Sequence, residues 1–347
     1  MLVETGIPSN DLRAAGAAAQ RLEALGYDGV VTPEVKNDPF LPLAVAATTT
    51  ERVSLGTSVA IAFPRSPMIT ALMSWDLQRA SSGRFILGLG TQVKGHNERR
   101  YSTPWVGPAQ PRMREYVGAL RAIWHTWQTG EKLDFRGKYY THTLMTPEFN
   151  PGPLASGAPK IVVSAVGPYM ARLAGELCDG VRMHGFCTAK YIQDVILPEL
   201  KIGAERAGRD PKTLEVSGGG FIVTGETQAE VEKAREAART RVSFYGSTRS
   251  YHGVFEAHGW SDIGPRLHEM SLKGQWQAMP GAVPDDVLEH FVVAGTYDQI
   301  VQRITQRFGG ICTRVSLSLP ARTPEEEARA KAMLAELHAA GAPAAAR

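Results

Sequence analysis

Hydrophobic and polar positions alternate along this chain in two rhythms. Short, nearly continuous apolar runs stand at 3–7, 27–32, 53–61, 84–90, 159–165, 180–184, 214–224 and 313–319. Runs of this length, rich in Val, Ile and Leu, predict buried β-strands. Between them lie longer segments whose apolar residues recur every three or four positions, which predicts amphipathic helices. DLRAAGAAAQRLEALG, PMITALMSWDLQRASSG and YDQIVQRITQRFG are examples. Ser9 or Asn10 is placed to cap the first of these and Gly26 to stop it, and Thr296 is placed to cap the last.

Eight strand patterns, each followed by a helical one, predict a parallel sheet covered by helices. The expected fold class is α/β, a (β/α)8 TIM barrel, with a doubly wound open sheet as the alternative. Residues 1–340 are expected to form one barrel domain, and 341–347 a flexible tail. Two stretches break the rhythm. Residues 131–157 read as a β-hairpin, KLDFRGKYYTHTLM, followed by a Pro/Gly-rich linker. Residues 245–290 are irregular, rich in Gly, His and Trp, and are expected as a lid or second insertion. Barrel chemistry sits at the C-terminal ends of the strands. That rule directs attention to 32–38, 58–66, 90–97, 165–169, 184–188 and the lid.

Composition narrows the classes. The 347 residues carry 38 Lys and Arg against 35 Asp and Glu, with no basic block, so nothing argues for nucleic acid or an anionic membrane as partner. No apolar run approaches the roughly 18 residues of a membrane span, and the first residues lack the basic start of a signal peptide. Three widely spaced cysteines, Cys178, Cys187 and Cys312, imply a reducing compartment, so a cytoplasmic protein is expected.

The stretch Gly56-Thr57-Ser58-Val59-Ala60 comes close to the G-x-S-x-G of a hydrolase nucleophile elbow. An elbow needs a helix directly after its Ser. Here the apolar run continues, and the fifth position is Ala, so serine hydrolase chemistry is set aside. Gly88-Leu89-Gly90 lacks the third glycine of a dinucleotide fingerprint, because position 93 is Val. Nine histidines include no HxxxH or HExxH pair, so no metal site is expected; His252, His258 and His268 share a region without ligand spacing. What remains are three strand ends rich in small residues, at 56–58, 88–92 and 164–167. Small side chains let a flat ring approach the backbone, whose N–H groups bind ring carbonyls or phosphate. The plainer alternative is that they relieve crowding at a barrel rim.

LEALGYDGVVTPE, VSLGTSVAIAFPRSPMITA, GRFILGLGTQ and VSAVGPYMARLAGELCDGV follow one another in an order that resembles the luciferase-like monooxygenase superfamily, most closely its coenzyme F420-dependent oxidoreductases. The resemblance implies a small-molecule enzyme that moves hydride between F420 and an organic substrate. It implies a non-prolyl cis peptide in the bulge after the third strand, matching Ser58–Val59, against the central ring of the cofactor. It places Ile61 beside the ring, and Thr91 and Gln92 in the fourth-strand loop. His96, or Asn97 with a shift of one, matches a polar contact. Val166, Gly167, Tyr169 and Met170 match the loop whose helix start would receive the cofactor phosphate through free N–H groups.

This chain departs from the sugar-phosphate dehydrogenase branch of that family. The Asp-His pair ending the second strand there is Pro33-Glu34 here, and a Glu of its fourth-strand loop is Val93. Glu34 is expected either as a proton donor with a raised pKa or as a partner of Arg65 or Lys36. His184 is expected on the substrate side. Phe244, Tyr245, Trp260 and Trp276 suggest a hydrophobic substrate, or else core or dimer interface. Two rivals stay open: an FMN-dependent monooxygenase, and a flavin- or deazaflavin-binding protein without catalysis. A homodimer is left open as well.

Overall fold

The computed structural model describes residues 1–340; the tail expected at 341–347 lies outside them. Its strands, in chain order, are β1 (Leu2–Gly6), β2 (Gly29–Thr32), β3 (Ser54–Thr57), β4 (Ala60–Ile61), β5 (Phe85–Gly90), β6 (Phe135–Arg136), β7 (Thr141–His142), β8 (Lys160–Ala165), β9 (Gly180–Met183), β10 (Glu215–Ser217), β11 (Phe221–Gly225), β12 (Val292–Thr296) and β13 (Arg314–Ser316). The parallel order β3-β2-β1-β13-β10-β9-β8-β5-β4 closes on itself through pairing of β3 with β5. Counting β3 and β4 as one broken strand, this is an eight-stranded (β/α)8 barrel. The barrel is read off the chain because its strands are buried on both faces: β2 and β5 are buried at every position.

Two apolar runs are broken where the pattern shows one strand. The run 53–61 is interrupted at Ser58–Val59, whose peptide bond is cis. Before the break Leu55 pairs with Phe85; after it Ala60 pairs with Leu89. The run 214–224 is interrupted by Gly218, Gly219 and Gly220, all at positive φ. A Cβ at Gly218 would stand 2.8 Å from the Met183 carbonyl oxygen. Only glycine makes this turn without strain. Beyond it β11 leaves the barrel and pairs in parallel with β12, a strand just past the segment 245–290 that the pattern did not show.

The segment 245–290 itself is largely helical, with His252–Glu256, Ile263–Leu272 and most of Asp285–Phe291. The hairpin expected within 131–157 is present as β6 and β7, two residues each. Glu115 holds its turn by accepting from the backbone N–H groups of Lys138 and Tyr139. Among the caps, Asp11 rather than Ser9 or Asn10 starts the first helix, accepting from the Arg13 and Ala14 N–H groups. Gly26 ends it in the left-handed conformation, and Thr296 forms a capping box with Gln299. No helix among the described residues is long and apolar enough to cross a membrane.

Inside the barrel lies a charged cluster that the strand pattern conceals. Glu4 of β1 pairs with Arg182 of β9 through both carboxylate oxygens. Arg314 of β13 reaches Glu215 of β10 with two bonds of 3.2 Å and Ser54 of β3 with another. Glu4, Arg182 and Arg314 are buried.

Candidate active site

The β3–β4 break presents Ser58 and Val59 half-buried at the strand ends, between the fully buried Thr57 and Ala60. Several groups hold it. The Ser58 N–H donates to the Thr32 carbonyl at 2.8 Å. The Thr57 hydroxyl donates to the Gly88 carbonyl at 2.7 Å and accepts the Gly88 N–H at 2.9 Å. A Cβ at Gly90 would meet Val59 Cγ2 at 2.7 Å, and one at Gly88 would meet the Thr57 carbonyl oxygen at 2.0 Å. Gly88 and Gly90 therefore make room for the neighbouring strand. Of the two roles open to the small residues at 88–90, the relief of crowding is the one these contacts carry.

Glu34, just past β2, is the main brace of the shelf. Its Oε2 accepts the Ile61 N–H at 2.7 Å and Arg65 Nη1 at 2.7 Å, and Oε1 accepts the Tyr101 hydroxyl at 3.2 Å. Arg65 Nη1 also donates to the Ile61 carbonyl at 3.0 Å, so carboxylate and guanidinium grip both polar groups of one residue. Nη2 of Arg65 reaches Asp38 at 3.2 Å. Burial opposes the Arg65 charge, but its bond to Glu34 and the charges of Glu34 and Asp38 outweigh this and raise its pKa. Burial and the nearby Glu34 charge raise that of Tyr101. Of the partners open to Glu34 in the sequence, Arg65 is the one it takes.

The loop after β5 is set by Asn97. Its buried side chain donates to the Thr91 carbonyl at 3.0 Å and the Val93 carbonyl at 3.2 Å, while its Oδ1 is buried without a partner. Gln92 is left-handed, with φ of 55°, and accepts the Val93 N–H through its own side chain. His96 is exposed. After β8, Gly167 opens the helix Pro168–Leu177 with no side chain capping its N–H groups. A Cβ on Gly167 would meet nothing within 4 Å. Tyr191 fixes this loop by donating to the Val166 carbonyl at 2.8 Å. Met170 is half-buried, and Tyr169 stands 65% exposed.

His184 follows β9 directly, and Met183 is paired with Ala165, so His184 stands level with Val166. The Phe186 N–H donates to its Nδ1 at 2.9 Å. That nitrogen therefore carries no proton, and the ring is the Nε2–H tautomer. Burial lowers its pKa to about 4. Tyr245 and Tyr251 pack edge-on against the imidazole at 4.2 and 5.3 Å between ring centres. Neither contact is readable in the sequence, because both tyrosines come from helical segments some sixty residues on. Of the aromatic residues expected to act together, Phe244, Tyr245 and Trp276 are contiguous, whereas Trp260 stacks on His258 at 4.1 Å. His258 bonds Thr188, and His268 lies between Ser247 and Arg249. No group of three or more His, Cys, Asp or Glu side chains among the described residues could hold a metal ion.

Residues 2–312 match the family model described as luciferase-like monooxygenase. The chain belongs to that family. A Mycobacterium tuberculosis protein described as uncharacterized is 46% identical over 313 residues, covering 90% of this chain and 92% of its own length. The 5,10-methylenetetrahydromethanopterin reductase of Methanolobus tindarius is 29% identical over 330 residues, covering 93% and 95%. Among solved structures, the coenzyme F420 dependent tetrahydromethanopterin reductase from Methanopyrus kandleri superposes with a TM-score of 0.75 at 22% identity, covering 98% of this chain and 99% of that one. For this member of the luciferase-like family, the three rim loops and the His184 cluster lie at the end of the barrel where such folds carry chemistry.

Proposed function

We propose that the protein is an oxidoreductase that transfers hydride between coenzyme F420 and a hydrophobic small organic substrate. One observation carries the reading. Three consecutive units of the barrel rim leave a half-buried Ser58–Val59 shelf, an ordered turn at Thr91 and Gln92, and an open, uncapped helix start at Gly167. The reductase names borne by relatives over most of their length support it.

In this reading Ser58, Val59 and Ile61 support the ring of the cofactor, and Thr91 and Gln92 close one side. Asn97 keeps that turn in place, with Oδ1 as a spare acceptor. His96, exposed on the short helix Lys94–Arg99, contributes at the outer edge. Val166, Gly167, Tyr169 and Met170 form the phosphate end, where the first N–H groups of a helix and its dipole favour an anion. The deazaflavin would supply two electrons as hydride without activating oxygen. Glu34, ion-paired and fully engaged, acts through the Ile61 backbone to hold the shelf, and His184 faces the substrate.

Titration with both candidate cofactors tests this. Quenching of F420 fluorescence with saturable binding, and no comparable binding of FMN, is the expected result. Preferential FMN binding with substrate-dependent oxygen consumption overturns it in favour of a monooxygenase. Tight F420 binding with no hydride transfer across a ketone and alkene panel leaves only a carrier.

A further inference from the structure

The end of β9 holds a cluster whose chemistry points at a substrate. The rings of His184, Tyr245 and Tyr251 enclose one another, at 4.2, 5.3 and 6.2 Å between centres. Each carries a polar tip: the imidazole Nε2–H, fixed by the Phe186 bond at Nδ1, and two phenol hydroxyls. None of the three tips has a hydrogen-bond partner among the described residues, and none is sealed from solvent. Polar tips in such an aromatic setting ordinarily find partners.

The surroundings define what the partner is. Burial alone lowers His184, and burial followed by Tyr245 raises Tyr251 to about 12; no Lys, Arg, Asp or Glu contributes to either shift. His184 and Tyr251 are therefore neutral donors at physiological pH, and Tyr245 adds a further hydroxyl beside them. Behind Tyr251 stands a wall of Phe186, Phe255 and Phe291. In front, Phe244 and Trp276 are about half exposed, at 52% and 49%, and continue the aromatic surface outward from Tyr245. No hydrogen bond or salt bridge brings a charged side chain onto any of the three rings; Arg241, one turn before Tyr245 on the helix Gln228–Gly246, lies instead over Phe221 at 5.9 Å. An uncharged oxygen on an apolar body would find three donors and aromatic walls.

We propose that His184, Tyr245 and Tyr251 form the site for the oxygen of an uncharged, apolar carbonyl compound or of the alcohol it yields. The proposal rests on the hydride-transfer reading for its reductant. Reduced F420, held at the shelf, would supply the hydride to the carbonyl carbon, and the C–O π pair would move onto oxygen. A tyrosine hydroxyl passes its proton to that oxygen and regains one from solvent, completing the alcohol. His184 donates a hydrogen bond throughout and stays neutral, since its Nδ1 is held by the backbone.

Three probes of one shape test this: acetophenone, α-methylstyrene with C=CH2 in place of C=O, and benzoate. Binding is read by ligand-observed NMR, with and without oxidised F420. The expected result is that Tyr245→Phe combined with Tyr251→Phe lowers the preference for acetophenone over α-methylstyrene by about tenfold, the loss of one to two neutral hydrogen bonds. Each single variant lowers it less, and benzoate binds most weakly to the wild type. An unchanged ketone-to-alkene ratio in the double variant, or benzoate outcompeting acetophenone, overturns the proposal. Far-UV circular dichroism and urea denaturation of the double variant itself check that loss of the ratio is not general unfolding. F420 titration of the same variants separates the two readings. Retained F420 affinity with a lost ratio supports both, whereas absent F420 binding by the wild type removes the cofactor reading and leaves the carbonyl site judged on its own ratio.

Discussion

At residue scale, the two groups picked out for chemistry have settled into different states. Glu34 is committed to a cation, a hydroxyl and a backbone N–H, whereas His184 is held neutral with one nitrogen free. The strand-end position of each was legible because it follows an apolar run directly. The choice of Arg65 for Glu34, and the tyrosines around His184, were not, since both depend on how distant segments return to the rim. The neutral His184 has a consequence for pH. Its folded pKa of about 4 lies below the ordinary 6.5, so on acidification the unfolded chain takes up a proton that the folded chain refuses. The contribution is fully present above about pH 6.5 and is lost as pH falls towards 4. Between pH 7 and 4.5 this costs on the order of 2 kcal/mol. Urea denaturation at the two pH values should therefore show wild type losing more stability than His184→Gln, and equal losses would refute the buried neutral imidazole.

At the scale of elements, the eight barrel strands were readable because each is a short apolar run followed by an amphipathic segment. Interruptions cost the hydrophobic pattern nothing, so the break at Ser58–Val59 was expected from the family resemblance alone and the one at 218–220 was not expected at all. Ser58–Val59 and the three glycines at 218–220 sit inside apolar runs, and neither shortens them. β12 escaped because Val292, Val293 and Ala294 follow a helix without a turn signal. The fit between β4 and β5 yields a test. A methyl group at position 90 would lie 2.7 Å from Val59 Cγ2, inside contact distance. Gly90→Ala should destabilise the protein by about 1–3 kcal/mol through overpacking. It should also weaken binding at the shelf. Adding Val59→Ala removes the clashing methyl groups and should recover most of the stability, measured by urea denaturation in a double-mutant cycle. Full additivity would mean that the two side chains do not press on each other.

At the scale of the whole molecule, the barrel is tied together across its interior by charge as well as by apolar packing. Glu4, Arg182, Arg314 and Glu215 come from β1, β9, β13 and β10, and Ser54 of β3 joins them, so five of the eight barrel positions share one network. The two carboxylates balance the two guanidinium groups. Sequence patterning hides such a cluster, because single charges within apolar runs read as exposed edges until barrel closure turns them inward. Arg182 Nε is buried without a partner, so the network has little slack. Removing one charge strands the rest: Glu4→Gln should destabilise by about 3–5 kcal/mol, the usual effect of uncoupling a buried ion pair. Replacing Glu4 and Arg182 together with Gln and Met removes one charge of each sign, and should cost less than Glu4→Gln alone. Chemical denaturation of the three variants reads this directly. A double variant worse than the single would mean that the cluster works by shape and hydrogen bonding, with charge balance a minor part of what holds the strands in register.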